Sequence, residues 1–191
     1  MKIKKVSLLL SMLGMIITMI SCVKDVDGSQ LEDVVLNPVY ELDFMYSRVD
    51  TEELIPSGTD PSIVIPELVV SDTLQYDLVG NDFAVDHIER VEIQFTIDNT
   101  IQREFELMFA FLNDGNQQVG PSYTILIDPG LGPDTAPVRT TAEIVMDNET
   151  IRTLRDASQL TSSIRVENVS SNLIGVLELK SKATYYINYQ L

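Results

Sequence analysis

Beyond residue 38 the chain alternates apolar and polar positions in short runs, the period-two signature of half-buried strands. In residues 39–49, Tyr40, Leu42, Phe44 and Tyr46 fall on one face, and Glu41, Asp43 and Met45 on the other. The cleanest alternation follows later. Val91, Ile93, Phe95 and Ile97 alternate with Glu92, Gln94 and Thr96. Phe105, Leu107, Phe109 and Phe111 then alternate with Glu104, Glu106 and Met108. With Asp98-Asn99-Thr100 in the connection, the two runs read as a hairpin of an antiparallel sheet with one wet face. Asn113-Asp114-Gly115-Asn116 marks the next turn, where Asp-Gly suits type I′ geometry, and it leads into a strand within residues 117–127.

Residues 63–70, 73–79, 138–146, 160–167, 173–180 and 182–189 are further strand candidates, with Pro66 confining the first to a short or edge position. In the last, Ala183, Tyr185, Ile187 and Tyr189 share a face. Residues 56–61 and 128–137 are loops by their Pro and Gly content. The period switches once. Over residues 148–158, Ile151, Leu154 and Ser158 recur at helical spacing behind Asp147 or Asn148 as a cap, which fits a short helix or an irregular loop. Roughly eight to ten short strands separated by regular turns predict an all-β fold, an antiparallel two-sheet sandwich of immunoglobulin-like architecture with one short helix. No tryptophan and only one cysteine are present, so the likeness to antibody domains is one of architecture and not of ancestry. Residues 37–191 have the length of one domain.

The N-terminus is patterned differently. Lys2, Lys4 and Lys5 precede fifteen uncharged residues, 6–20, which end at Ser21 and Cys22. A membrane-spanning helix needs about 20 apolar residues, and this shorter run with a basic start reads as a secretory signal, a cleaved N-terminal helix. Met19-Ile20-Ser21-Cys22 resembles the lipobox of bacterial lipoproteins, although Met19 departs from the usual leucine. The resemblance implies a diacylglyceryl group on the Cys22 sulfur, cleavage between Ser21 and Cys22, and acylation of the new amino group. Residues 1–21 are then a signal peptide, and 22–36 an acylated cysteine with a flexible acidic tether. Two or more acyl chains anchor stably where one does not. Lys24-Asp25 with nearby Asp27 resembles the acidic export signals of Bacteroidota surface lipoproteins. It equally suits a solvated linker, so surface-facing and periplasmic placements on the outer membrane both stand. With a single cysteine, no intrachain disulfide is possible and the core alone must stabilise the fold.

Charge narrows the partners. The chain holds 13 Lys+Arg against 29 Asp+Glu, a net −16; losing residues 1–21 removes three lysines and no acids, which leaves −19. Such a surface repels phosphate backbones, which excludes nucleic acid as a partner. It also disfavours lying flat on anionic lipid, so membrane attachment falls to the lipid anchor.

Candidate chemistry is sparse. The one histidine, His87, lies near Asp82, Asp86 and Glu89, and an Asp–His pair can orient a general base. No serine sits in a Gly-x-Ser-x-Gly elbow, and the sole cysteine is the expected lipid site. No metal or other cofactor is expected, since zinc draws on several His or Cys ligands. Loop oxygens at Asn113, Asp114, Asn116 and Asp128 suit calcium, but they suit turn geometry as well. Asp72-Thr73-Leu74 and Asp134-Thr135-Ala136 resemble the O-glycosylation site of the same bacteria, which makes Thr73 and Thr135 candidate acceptors. The sequence thus supports a lipid-anchored envelope module that is structural, or that binds a protein or polysaccharide through end loops such as 128–137 and 56–61. The alternative is an envelope hydrolase, or the accessory subunit of a glycan-degrading complex, with an acidic site around Asp82, Asp86 and His87.

Overall fold

The two runs of cleanest alternation become the middles of two facing sheets. The computed structural model describes residues 35–54, 58–60, 62–76 and 79–190. Its elements are β1 (Val35–Leu36), β2 (Val39–Asp50), α1 (Thr51–Leu54), β3 (Ile65–Gln75), α2 (Asp82–His87), β4 (Ile88–Asn99) and β5 (Phe105–Leu112). They continue with β6 (Gln118–Ile127), β7 (Val138–Asp147), α3 (Asn148–Thr153), β8 (Gln159–Val169), β9 (Val176–Ile187) and β10 (Tyr189–Gln190). The signal segment 1–21, the Ser21–Cys22 junction and the tether through residue 34 lie outside the described residues, as do 55–57 and 61 of one expected loop.

Residues 37–188 form one unit, and β1 pairs antiparallel with β10 in another. In the larger unit the sheets run β2-β9-β4-β7 and β3-β8-β5-β6, antiparallel throughout. The predicted two-sheet sandwich is therefore present. Within it β2 meets β9, β3 meets β8, β4 meets β7 and β5 meets β6. The chain is folded back at the β5–β6 turn and wound into a sandwich, which is the strand order of a jelly roll. Every connection except β5–β6 crosses between sheets. Alternation reports which face of a strand is buried but not which strand lies beside it, so this order was not legible.

One correction follows directly. β4 and β5 are not a hairpin: β4 pairs with β7 and β9, and β5 with β6 and β8. Five residues carry the chain from sheet to sheet, enough to cross a ~10 Å gap at about 3.3 Å each. The inward residues predicted for both strands are buried as expected, with Phe95 and Phe109 meeting at 5.6 Å between ring centroids.

β2 departs from simple alternation. Asp43 stands opposite Lys182 and Met45 opposite Ser181, which leaves Phe44 as the extra residue of a bulge. Phe44 turns into the core, edge-on to Tyr76, Phe95 and Phe109. Past it the phase reverses: Met45 and Val49 pack against the core, and Tyr46, expected beside Phe44, is 64% exposed. The buried Ser181 hydroxyl donates to the Met45 carbonyl at 3.0 Å. A polar residue that reads as a break between two strands instead serves the bulge, and β9 runs unbroken through it. β3 likewise replaces the two shorter strands expected at 63–70 and 73–79. It is an edge strand, as Pro66 implies.

The helix expected after Asp147 forms, with Asp147 accepting the Thr150 N–H at 2.8 Å. Helix α2 was not expected; Asn81 caps it by accepting the Ala84 N–H. Its Ala84 and Val85 are buried, as are Ile151 and Leu154. Gly80 sits where a Cβ would come within 1.6 Å of the Ala157 carbonyl oxygen, so no other residue fits. The β5–β6 turn forms without the type I′ geometry. Asp114 and Gly115 keep negative φ, Asn116 takes φ 57°, and the Asn113 side chain collects the N–H groups of Gly115 and Gln117. Across the core, the Tyr76 and Tyr185 phenols share a hydrogen bond, and burial raises both phenols above their ordinary range.

The bulge makes a paired prediction. Phe44→Ala should cost about 3 kcal/mol in urea denaturation, as large-to-small core changes do. Tyr46→Ala should stay within about 0.5 kcal/mol. Equal losses would contradict the phase reversal.

Candidate functional site: a loop end organised by Asn99

Four connections gather at one end of the sandwich, after β2, β4, β6 and β8. Asn99 continues the inward parity of Val91 to Ile97, and its side chain is fully buried. A buried amide must be bonded, and this one is. Its Nδ2 donates to the carbonyls of Arg103 at 3.0 Å and Asp128 at 2.8 Å, while its Oδ1 accepts the Ile101 N–H at 2.8 Å. One side chain thereby joins the β4–β5 connection to the start of the β6–β7 loop.

Backbone bonds extend the tie. Gly130 N–H donates to the Ile101 carbonyl at 2.7 Å, and Gly132 N–H to that of Thr100 at 3.0 Å. A Cβ at Gly130 would lie 2.3 Å from the Thr100 carbonyl carbon, so glycine lets the two chains touch. The Gln102 amide donates to the Leu131 carbonyl at 3.1 Å. Thr100 then reaches the next connection, since its N–H donates to the Val176 carbonyl and its Oγ1 accepts the Val176 N–H at 2.8 Å. Buried Thr51 closes the set by exchanging bonds with Gly175. These loops are pinned, and Leu131 (66% exposed) and Ile174 (49% exposed) project from them.

Beside this end lies a cleft of about 250 Å³ whose lining includes Arg103, Glu106, Leu126, Arg165 and Glu167. Arg103 donates to the carbonyls of Asn168 and Gln102. Arg165 bridges Glu67 at 2.8 Å and Glu167 at 2.7 Å. On the outer face of β4, Arg139 holds Asp98 through two 2.8 Å bonds, and the guanidinium keeps this carboxyl below its usual range. Apolar tips on a rigid base, with paired charges around them, can recognise a partner without reordering.

The residues singled out for chemistry lie elsewhere. Asp82 and Asp86 stand one helical turn apart on α2, both exposed, with Asp82 3.8 Å from Arg155. His87 ends α2, its ring 4.9 Å from that of Phe83. The cleft beside the loop end is lined by none of these three residues. Thr73 lies within edge strand β3, its hydroxyl bonded to that of Thr161 at 3.1 Å. Thr135 is in the loop end, exposed, with its hydroxyl donating to the Gly132 carbonyl at 2.7 Å. Among the described residues no group of three or more His, Cys, Asp or Glu is placed to hold a metal ion. Sequence reasoning missed Asn99 by placing it in a hairpin turn; its inward parity was the available signal.

No family profile matches the sequence, and no curated protein matches it. Solved structures do. A protein from Parabacteroides distasonis described as secreted aligns at TM-score 0.42 and 11% identity, over 62% of this chain and 38% of that one. The enzymatically active domain of Bacteriophage CBA120 tailspike protein 4 gives 0.40 and 10%, over 79% and 19%. The infectious bursal disease virus VP2 subviral particle gives 0.43 and 9%, over 82% and 33%. At these scores, and spanning well under half of each neighbour, the likenesses carry nothing about activity or ligand.

Asn99→Ala should lose about 3 kcal/mol in urea denaturation, because three backbone groups, that of Ile101 buried and those of Arg103 and Asp128 part-buried, lose their partner, and should speed amide exchange at Ile101. A loss below about 1 kcal/mol would contradict its organising role. Asp98 has its folded pKa depressed, so its contribution is present above the unfolded value of about 3.9 and is lost as pH falls through the folded one. The stability gap between the wild type and Asp98→Asn should therefore narrow in acid, measured as urea midpoints from about pH 5 to pH 2. A gap that widens would be contrary.

Proposed function

We propose that this chain is a lipid-anchored module of the bacterial cell envelope, held to the outer membrane through Cys22, that binds a protein or polysaccharide partner rather than performing catalysis. The observation that carries the reading is the placement of Cys22. The only cysteine of the chain follows a small residue at the end of an apolar run too short to span a bilayer. The acidic balance fits this attachment, because the surface has little attraction for anionic lipid and the acyl chains must supply the membrane affinity.

Recognition in this reading belongs to the pinned loops. Leu131 and Ile174 offer apolar contact, and the Asn99 bonds mean that little order has to be gained on binding. Thr135 in the same loop region, and Thr73 on β3, are the proposed glycan acceptors. Modification at Thr135 would place sugar beside the recognition surface and tune it.

Cys22→Ala tests the anchor. In cells fed labelled palmitate, the wild type should carry label and sediment with membranes, whereas the variant should carry none and appear in the soluble fraction. Label or sedimentation unchanged in the variant would overturn the reading.

A further inference from the structure

The edge of the sandwich at β2 is open. β2 terminates its sheet, and among the described residues no strand pairs with its outer side. Tyr40 and Leu42 stand opposite Tyr185 and Ala183, both buried, and so belong to the core face. Yet they are 55% and 46% exposed. With Phe83 of α2, itself half exposed, and with Ile88, Tyr185 and Ile187, they line a recess of about 230 Å³. Asn81, the one amide in the lining, is already engaged in capping α2. At the bulge a second hollow of about 410 Å³ is bordered by Phe44, Met45, Tyr46, Lys180 and Ser181.

Two hollows in succession along one unpaired edge are what strand addition requires. Backbone groups pair along the edge, and alternate side chains of the added segment reach the pockets. The bulge interrupts pairing at Phe44, so a segment adding beside the recess pairs over residues 39–43.

Charge decides the occupant. Glu41 and Asp43 alternate with the lining residues on β2, and Asp82 and Asp86 flank Phe83 on α2; all four are exposed. Lys182 holds Glu41 at 2.7 Å and Arg155 stands 3.8 Å from Asp82, so these four acids face two cations and the balance stays negative. A second copy would bring the same net −16 to the contact and be repelled. We propose that the β2 edge takes an extended segment of a protein partner in which basic and apolar residues alternate, seating one aromatic or branched aliphatic side chain in the recess. This surface is distinct from the Asn99 loop end, and its occupancy does not depend on the anchor.

The test uses the full chain in neutral detergent and three synthetic heptapeptides. The first alternates lysine with valine around a central phenylalanine. The second replaces lysine by glutamate, and the third repeats the first with alternate backbone amides methylated. The first should bind in calorimetry and shift amide resonances of residues 39–43. The methylated copy keeps every charge but loses the edge bonds, and two or three such bonds correspond to a weakening of about tenfold or more. The glutamate peptide should not bind. Leu42→Gln, which removes apolar contact without changing the charge, should weaken the first peptide by about tenfold while keeping the wild-type melting temperature, since Leu42 is half exposed. Equal binding by the methylated copy would reduce the effect to charge alone and overturn the proposal. Shifts confined to β3, β6 or β7, binding by none of the peptides, or self-association of the chain through β2 in sedimentation would also overturn it.

Discussion

The structure depends on the inner face of β4 lying against the inner face of β5. These strands carry the bulkiest uninterrupted apolar stripes in the chain, and each occupies an interior place in its sheet. Once Phe95 and Phe109 meet across the gap, the remaining strands have little freedom. They must pair outward from these two, and the fold-back at the β5–β6 turn supplies them in the order β7, β8 and β9. Phe44 reaches the same aromatic cluster only because a bulge lets an edge strand turn one extra residue inward. The hydrophobic effect sets the two layers, and the turn at Asn113 sets how they are wound.

The winding in turn creates the two surfaces open to a partner. Crossing from sheet to sheet at nearly every connection gathers four connections at one end, where buried polar groups need bonds. Asn99, Thr100 and Thr51 supply them, and rigidity at that end is the consequence. The same winding leaves β2 and β3 as edges. Bulge and proline blunt these edges, as natural sheets commonly do, but the core face of β2 stays half uncovered beside α2.

Much of this was readable in the residues. The alternation of β4 and β5, the edge position of Pro66 and the helix capped by Asp147 all appear as expected, because each is a local consequence of side-chain type. What failed was non-local. Thr100 was read as part of a hairpin turn, but its N–H donates to the carbonyl of Val176, 76 positions away, and its carbonyl accepts from Gly132. Ser181 was read as a gap between strands because its role is to satisfy the carbonyl of Met45 on a neighbouring strand. Asn99 looked like a turn former, and only the loops converging on it give a buried amide a purpose. Helix α2 is too short for its periodicity to register in the sequence, and its cap at Asn81 is the one local sign. The Cys22 reading rests on the residues alone.

The winding of β4 and β5 into separate sheets is the claim from which the rest follows, and backbone NOEs test it directly. Phe95 should show cross-strand contacts to Ala142 and Ser181, and Phe109 to Ser162 and Tyr123, following the registers of the two sheets. A ladder of backbone NOEs running directly between β4 and β5 would restore the hairpin and contradict the account.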